Sequence, residues 1–163
     1  MTSPGPEPCT NPESTQMDFW LGSWRLTWPA TQTSGKEGDI AHGTNQIEKI
    51  LNDCVIEERF ATADGSFLGR SHSVFDTRAR LWRQTWVDSA GGYLVFEGGV
   101  AGVDFELRTA PSERDGKVVI NRMVFSDISP DSLEWAWQSS TDQGETWRDL
   151  WNISYHRQDS SRG

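Results

Sequence analysis

Turn dipeptides cut this chain at short intervals, and their spacing constrains the fold more than any other feature. Asp64-Gly65 and Asp115-Gly116 supply the positive-φ residues of tight hairpins, and Gly91-Gly92 and Pro130-Asp131 mark further reversals. Asn52-Asp53 separates two more runs. Between these breaks lie β-branched and aromatic segments at residues 22–29, 38–51, 53–62, 66–76, 80–88, 92–99, 102–109, 117–126, 131–140 and 146–157. Almost no helical period intervenes, which predicts a hairpin-connected meander rather than βαβ units. One short helical turn is expected at residues 14–20, capped by Ser14 or Thr15 and ending in Phe19-Trp20.

A sheet of about ten short strands has exposed edges unless it closes on itself. The expected fold class is therefore all-β, a closed antiparallel up-and-down barrel of about ten strands. Barrels of that size enclose room for one small ligand. A two-sheet sandwich is the competing architecture. The 163 residues suit one domain. Its expected limits are residues 17–157, flanked by disordered tails at 1–16 (Pro-rich and polar) and 158–163.

The net charge of −9 repels phosphate, so neither nucleic acid nor an anionic membrane is an expected partner. No apolar run reaches the roughly 18 residues of a spanning helix. The N-terminus lacks the basic start and apolar run of a secretory signal, and a cytoplasmic location is expected. In a reducing compartment a bond between Cys9 and Cys54 is not expected, since it would only tie a floppy tail to the domain. The three histidines, His42, His72 and His156, and the two cysteines show no metal-ligand spacing. No metal or cofactor is expected, although a single axial His, His156 or His72, leaves haem open. A homodimer also stays open.

Nine tryptophans suit a thick barrel wall, because an indole brings a wide apolar face with one polar edge. In Trp82-Arg83-Gln84-Thr85-Trp86, alternation places Trp82, Gln84 and Trp86 on one face. The candidate ligand-binding residues are Trp28, Trp82, Gln84, Trp86, Trp135 and Trp137, with Arg59 or Arg122 as a polar anchor. Ordinary core packing is the alternative for the tryptophans, and a one-residue register slip would reverse every face.

Candidate catalytic groups are few. Gly69, Ser71 and Ser73 share one face of their strand and Arg70 and His72 the other, so inward small residues would turn His72 to solvent. His72 is the titratable candidate nearest neutrality. Adjacent Glu57 and Glu58 face opposite ways, so one points inward and needs a partner, for which Arg59, Arg83 or Arg122 could serve. That inward carboxylate is either structural or the polar floor of a site.

Ser140-x-Asp142-x-Gly144-x-Thr146-Trp147 matches the Asp-box pattern of sialidases and other β-propellers. One copy in a chain this short reads as a hairpin turn, with Asp142 accepting turn N–H groups and Trp147 packing beneath.

Gly22-Ser23-Trp24 heads the first strand and Tyr155-His156-Arg157 ends the last. Here Trp24 would plug one barrel end, with Arg157 lying over its ring. This pairing resembles the lipocalin and calycin-type barrels. A wider pattern joins Asp18-Phe19-Trp20-Leu21-Gly22-x-Trp24 and Gly43-x-Asn45-x-Ile47-Glu48 to Cys54-Val55-Ile56-Glu57-Glu58, Gly69-x-Ser71, Phe75-Asp76 and Trp82-x-Gln84-x-Trp86-Val87-Asp88-Ser89. It resembles a bacterial family of lipocalin-like proteins, a domain of unknown function, over roughly residues 17–157. The resemblance implies a barrel and a ligand cavity and assigns no substrate. The expected function is a carrier or sequestering protein for a small hydrophobic molecule. The alternative is a metal-independent isomerase or cyclase using His72, Glu57 or Glu58. A filled barrel serving as an interaction module is the third reading.

Overall fold

A computed structural model describes residues 8–158, so the expected tails at 1–7 and 159–163 lie outside the described residues. Eleven strands follow in chain order: β1 (Gly22–Pro29), β2 (Ile40–Ile50), β3 (Val55–Thr62), β4 (Leu68–Asp76), β5 (Leu81–Asp88), β6 (Tyr93–Ala101), β7 (Asp104–Arg108), β8 (Ser112–Arg114), β9 (Lys117–Ser126), β10 (Ser132–Ser140) and β11 (Arg148–Arg157). Neighbours pair antiparallel in the order β1 to β7, then β9, β10 and β11, and β11 pairs back onto β1. Ten strands thus close the expected barrel. β8 pairs only with β9, outside the ring. Its Ser-Glu-Arg sequence is exposed throughout, so it carries no apolar alternation that would mark a strand.

Alternation sets the facing. Gly43, Asn45 and Ile47 of β2, Ile56, Glu58 and Phe60 of β3, and Gly69, Ser71 and Ser73 of β4 are buried, while the residues between them face out. All tryptophans except Trp147 join the core or pack against it. The hairpin connections at 63–67 and 89–92 and the loop 141–147 lie at one end, here the upper end. The N-terminal segment and the loops at 51–54, 77–80 and 127–131 lie at the lower end.

The lower end is plugged. The helical turn expected at 14–20 is two 3-10 turns, Pro12–Thr15 and Asp18–Trp20, with Met17 and Trp20 buried between barrel walls. Neither Ser14 nor Thr15 caps it. Their hydroxyls donate instead to Asn11 Oδ1 (2.6 Å) and to the Pro12 carbonyl (2.9 Å). Phe19 and Trp20 set their rings 5.6 and 5.2 Å from Phe125, edge to face.

This plug corrects the expectation of a floppy segment at 8–16. Trp82 Nε1 donates to Gln16 Oε1 at 3.1 Å, and Arg80 pairs with Glu13. Drawn down in this way, Cys9 lies with its Cα 5.2 Å from that of Cys54, and the disulfide that was not expected is formed. The bond joins an ordered plug, not a loose tail, to the 51–54 loop. No helix among the described residues is long and apolar enough to cross a membrane.

Candidate functional site

The upper half of the barrel is hollow. A cavity of about 190 Å³ runs down from a rim at Phe67, Asp88 and Leu94 to a floor at Trp20, Glu58 and Tyr155. Its walls are Phe60, Trp86, Phe96, Trp135, Trp137 and Trp151. Rings meet largely edge to face: Phe60 on Trp151 at 5.7 Å, Trp135 on Trp151 at 6.0 Å, and Phe96 on Trp137 at 5.7 Å. Gly69 leaves space for the Trp86 ring, which a Cβ there would overlap. A second hollow of about 680 Å³ shares Phe67 and Trp151 with the first and extends beneath the Ala30–Thr33 turn. It forms a vestibule beside the cavity mouth.

Polar side chains gather at the floor. Glu58 accepts from Asn45 Nδ2 (2.7 Å) and from Ser71 Oγ (2.7 Å), and Asn45 Nδ2 also donates to the Tyr155 hydroxyl at 2.9 Å. Glu58 and Ser71 are direct cross-strand partners, as are Ser73 and Gln84 one step along, where Gln84 Nε2 donates to Ser73 Oγ at 2.8 Å. The inward carboxylate of the Glu57-Glu58 pair is Glu58, and its partners are neutral donors rather than any of the candidate arginines Arg59, Arg83 and Arg122. Burial pushes its carboxyl above the usual range, and the Ser71 and Asn45 hydrogen bonds only partly oppose this. The Tyr155 phenol is likewise pushed up, first by burial and then by Glu58. At the rim, burial acts to raise Asp88, but the Trp86 indole and the Gly92 and Ala90 amides outweigh it and hold the carboxylate below its usual range. Trp86 Nε1 donates to Asp88 Oδ2 at 2.9 Å, which fixes the indole in the wall.

The structure divides the expected site residues. Trp86, Trp135 and Trp137 line the cavity, and Trp28 lines the vestibule with its ring over Gly43. Trp82 and Gln84 point inward but lie below the cavity, packed against the plug and Ser73. Arg59 faces outward and pairs with Glu48 and Glu57. Arg122 also lies outside, its guanidinium 4.0 Å over Trp147 and bonded to Gln138 and Glu106. Neither arginine can anchor a ligand inside, because each alternates with buried neighbours on its strand. Glu57 and His72 contact each other at 3.2 Å on the outer face. His156 alternates outward beside buried Tyr155, so neither His72 nor His156 offers an axial ligand to the interior.

Among the floor and wall residues that escaped the sequence reading are Trp20, Asn45, Phe60, Phe96, Trp151 and Tyr155. Asn45 and Tyr155 were within reach of it, since they share faces with Ile47 and Ile153. The Asp-box segment is the turn it was read to be, with Thr146 N donating to Asp142 Oδ1 at 2.9 Å and Trp147 Nε1 to the Gly144 carbonyl at 3.1 Å.

No curated protein matches the chain. Residues 10–157, which hold the plug, every barrel strand and the whole cavity, match the family model described as Protein of unknown function (DUF1579), and the chain belongs to that family.

Proposed function

We propose that this protein holds one small, partly apolar molecule inside its barrel, as a carrier or sequestering protein of lipocalin-like type. The observation that carries this reading is the aromatic cavity of about 190 Å³ above a plugged lower end. A dry apolar cavity of ~150 Å³ already binds benzene, so a single-ring ligand is of the right size. The Gly22, Trp24 and Arg157 arrangement supports the lipocalin-like comparison. The metal-independent isomerase or cyclase has one supporting feature, a carboxyl of raised pKa beside the cavity. Both Glu58 oxygens are already engaged by Ser71 and Asn45, which favours binding over proton transfer. The Cys9–Cys54 bond supports an oxidising compartment in place of the cytoplasm.

Calorimetric titration of the full chain with toluene tests the reading, alongside native mass spectrometry of protein purified from its own host. Saturable one-to-one binding, or a co-purified small molecule of fixed mass, is expected. Absence of both would overturn it.

A further inference from the structure

The floor of the cavity specifies what kind of polar atom its occupant carries. Three polar side chains meet there: Trp20, Glu58 and Tyr155. The Tyr155 oxygen accepts from Asn45 Nδ2, and among the described residues nothing accepts the phenol's own proton. The indole Nε1 of Trp20, a residue 1% exposed, leans towards the same Tyr155 oxygen without reaching hydrogen-bond geometry, and the buried Nε1 of wall residue Trp151 has no acceptor. Buried donors left in this state are costly, and a ligand acceptor would relieve them. The titratable groups facing the cavity are Glu58 from β3, Asp88 from β5 and Tyr155 from β11, and all are acids. No Lys, Arg or His among the described residues lines it.

Resting on the binding function above, we infer that the occupant is a neutral aromatic or short apolar compound bearing a carbonyl-type acceptor oxygen. Its ring lies against the tryptophan walls, and its oxygen reaches down to the Tyr155 hydroxyl and the Trp20 indole. A carboxylate is disfavoured, since it would be desolvated beside the Asp88 carboxylate with no compensating cation in the lining. An amine, protonated at neutral pH, brings only donors and leaves the Tyr155 and Trp20 protons unanswered. The raised pKa values at the floor agree with this, because they keep the phenol protonated and favour an uncharged Glu58. A hydroxyl ligand fits less well than a carbonyl, because it brings a further proton to a floor where both Glu58 oxygens already accept hydrogen bonds.

The test is a matched series titrated into the full chain at neutral pH: acetophenone, ethylbenzene, benzoate and 1-phenylethylamine. Acetophenone is expected to bind roughly three- to tenfold more tightly than ethylbenzene, the range of one net hydrogen bond. Benzoate and the amine are expected to bind more weakly than ethylbenzene. The bound acetophenone carbonyl stretch should shift to lower frequency than in hydrocarbon solvent. In Tyr155→Phe the acetophenone-to-ethylbenzene ratio should fall towards unity and the shift should shrink. Benzoate or the amine binding as tightly as acetophenone, or ethylbenzene matching it in the parent, would overturn the inference and leave the cavity reading intact. If no member of the series binds, ethylbenzene included, it is the underlying binding function that fails. The parent series decides without any variant.

Discussion

The guanidinium of Arg157 lies 4.1 Å over the ring of Trp24, on directly paired positions of the last and first barrel strands. Its Nη1 donates to the Leu21 carbonyl and its Nε to the Pro130 carbonyl, both at 2.7 Å. Trp24 Nε1 in turn donates to the Trp20 carbonyl at 2.7 Å. One side-chain pair therefore joins the seam of the barrel to its plug. Gly22 makes room for it: a Cβ there would overlap Nη1, and its φ of +123° is open chiefly to glycine. Trp24→Ala should destabilise the domain by roughly 3–5 kcal/mol, through lost burial and the void left behind. Arg157→Ala should cost less, about 1–3 kcal/mol. A Trp24→Ala melting curve within a degree or two of the parent would remove this pair from the scaffold.

Trp86 is a wall of the cavity as well as a core neighbour, with its ring over Gly69 and its nitrogen on Asp88. Trp86→Ala should therefore reduce toluene affinity by more than it reduces stability, each expressed as free energy. Equal losses in the two measurements would make Trp86 plain packing.

Glu58 sets a slope of stability against pH. Its carboxyl is raised above the ordinary 4.5 when folded, so the folded state holds the proton more tightly than the unfolded chain. Its contribution is fully present below pH 4.5 and is lost as pH rises through the folded value. Glu58→Gln keeps an acceptor for Asn45 and sheds the charge. The variant should lose less stability than the parent between acid and neutral pH. Parallel melting temperatures across that range would show that Glu58 ionises freely.

Three turn carboxylates act in the opposite sense. Asp64, held by the Ser66 hydroxyl first, Asp76, held by the Ala79 amide first, and Asp142, held by the Thr146 hydroxyl first, all sit at about 2 against an ordinary 3.8. Their stabilisation is present above pH 3.8 and is lost as pH falls towards 2. Asp142→Asn should flatten part of that acid limb in a denaturant series and leave the neutral region little changed.

The Cys9–Cys54 bond closes a separation of 45 residues. By loop-closure entropy its removal should cost roughly 2–4 kcal/mol, with loosening of the plug. Cys9→Ser should lower the melting temperature, and the parent should show the same fall on reduction. Free thiols titrating in the unreduced folded protein would refute the bond.

The strands and the residues that share each face were legible in the chain because both follow from local alternation and turn chemistry, and the first-to-last strand clasp was legible from Gly22-x-Trp24 with Arg157 and the barrel resemblance they carry. Ser71 and Ser73 point in and His72 out for that reason alone. The same parity argument could have moved Arg59 out of the site, since it adjoins inward Glu58. The disulfide was not legible, because it depends on Met17 and Trp20 drawing a proline-rich segment under the barrel.

What the chain by itself determined was which residues share a face, since two-residue periodicity is a property of one strand. Only the closed structure decided that Trp82 and Gln84 are packed while Trp86, Trp135 and Trp137 border open space. A void is the difference between the volume a ring of strands encloses and the volume its side chains fill. That difference is set jointly by residues from every strand, and no single stretch of sequence contains it.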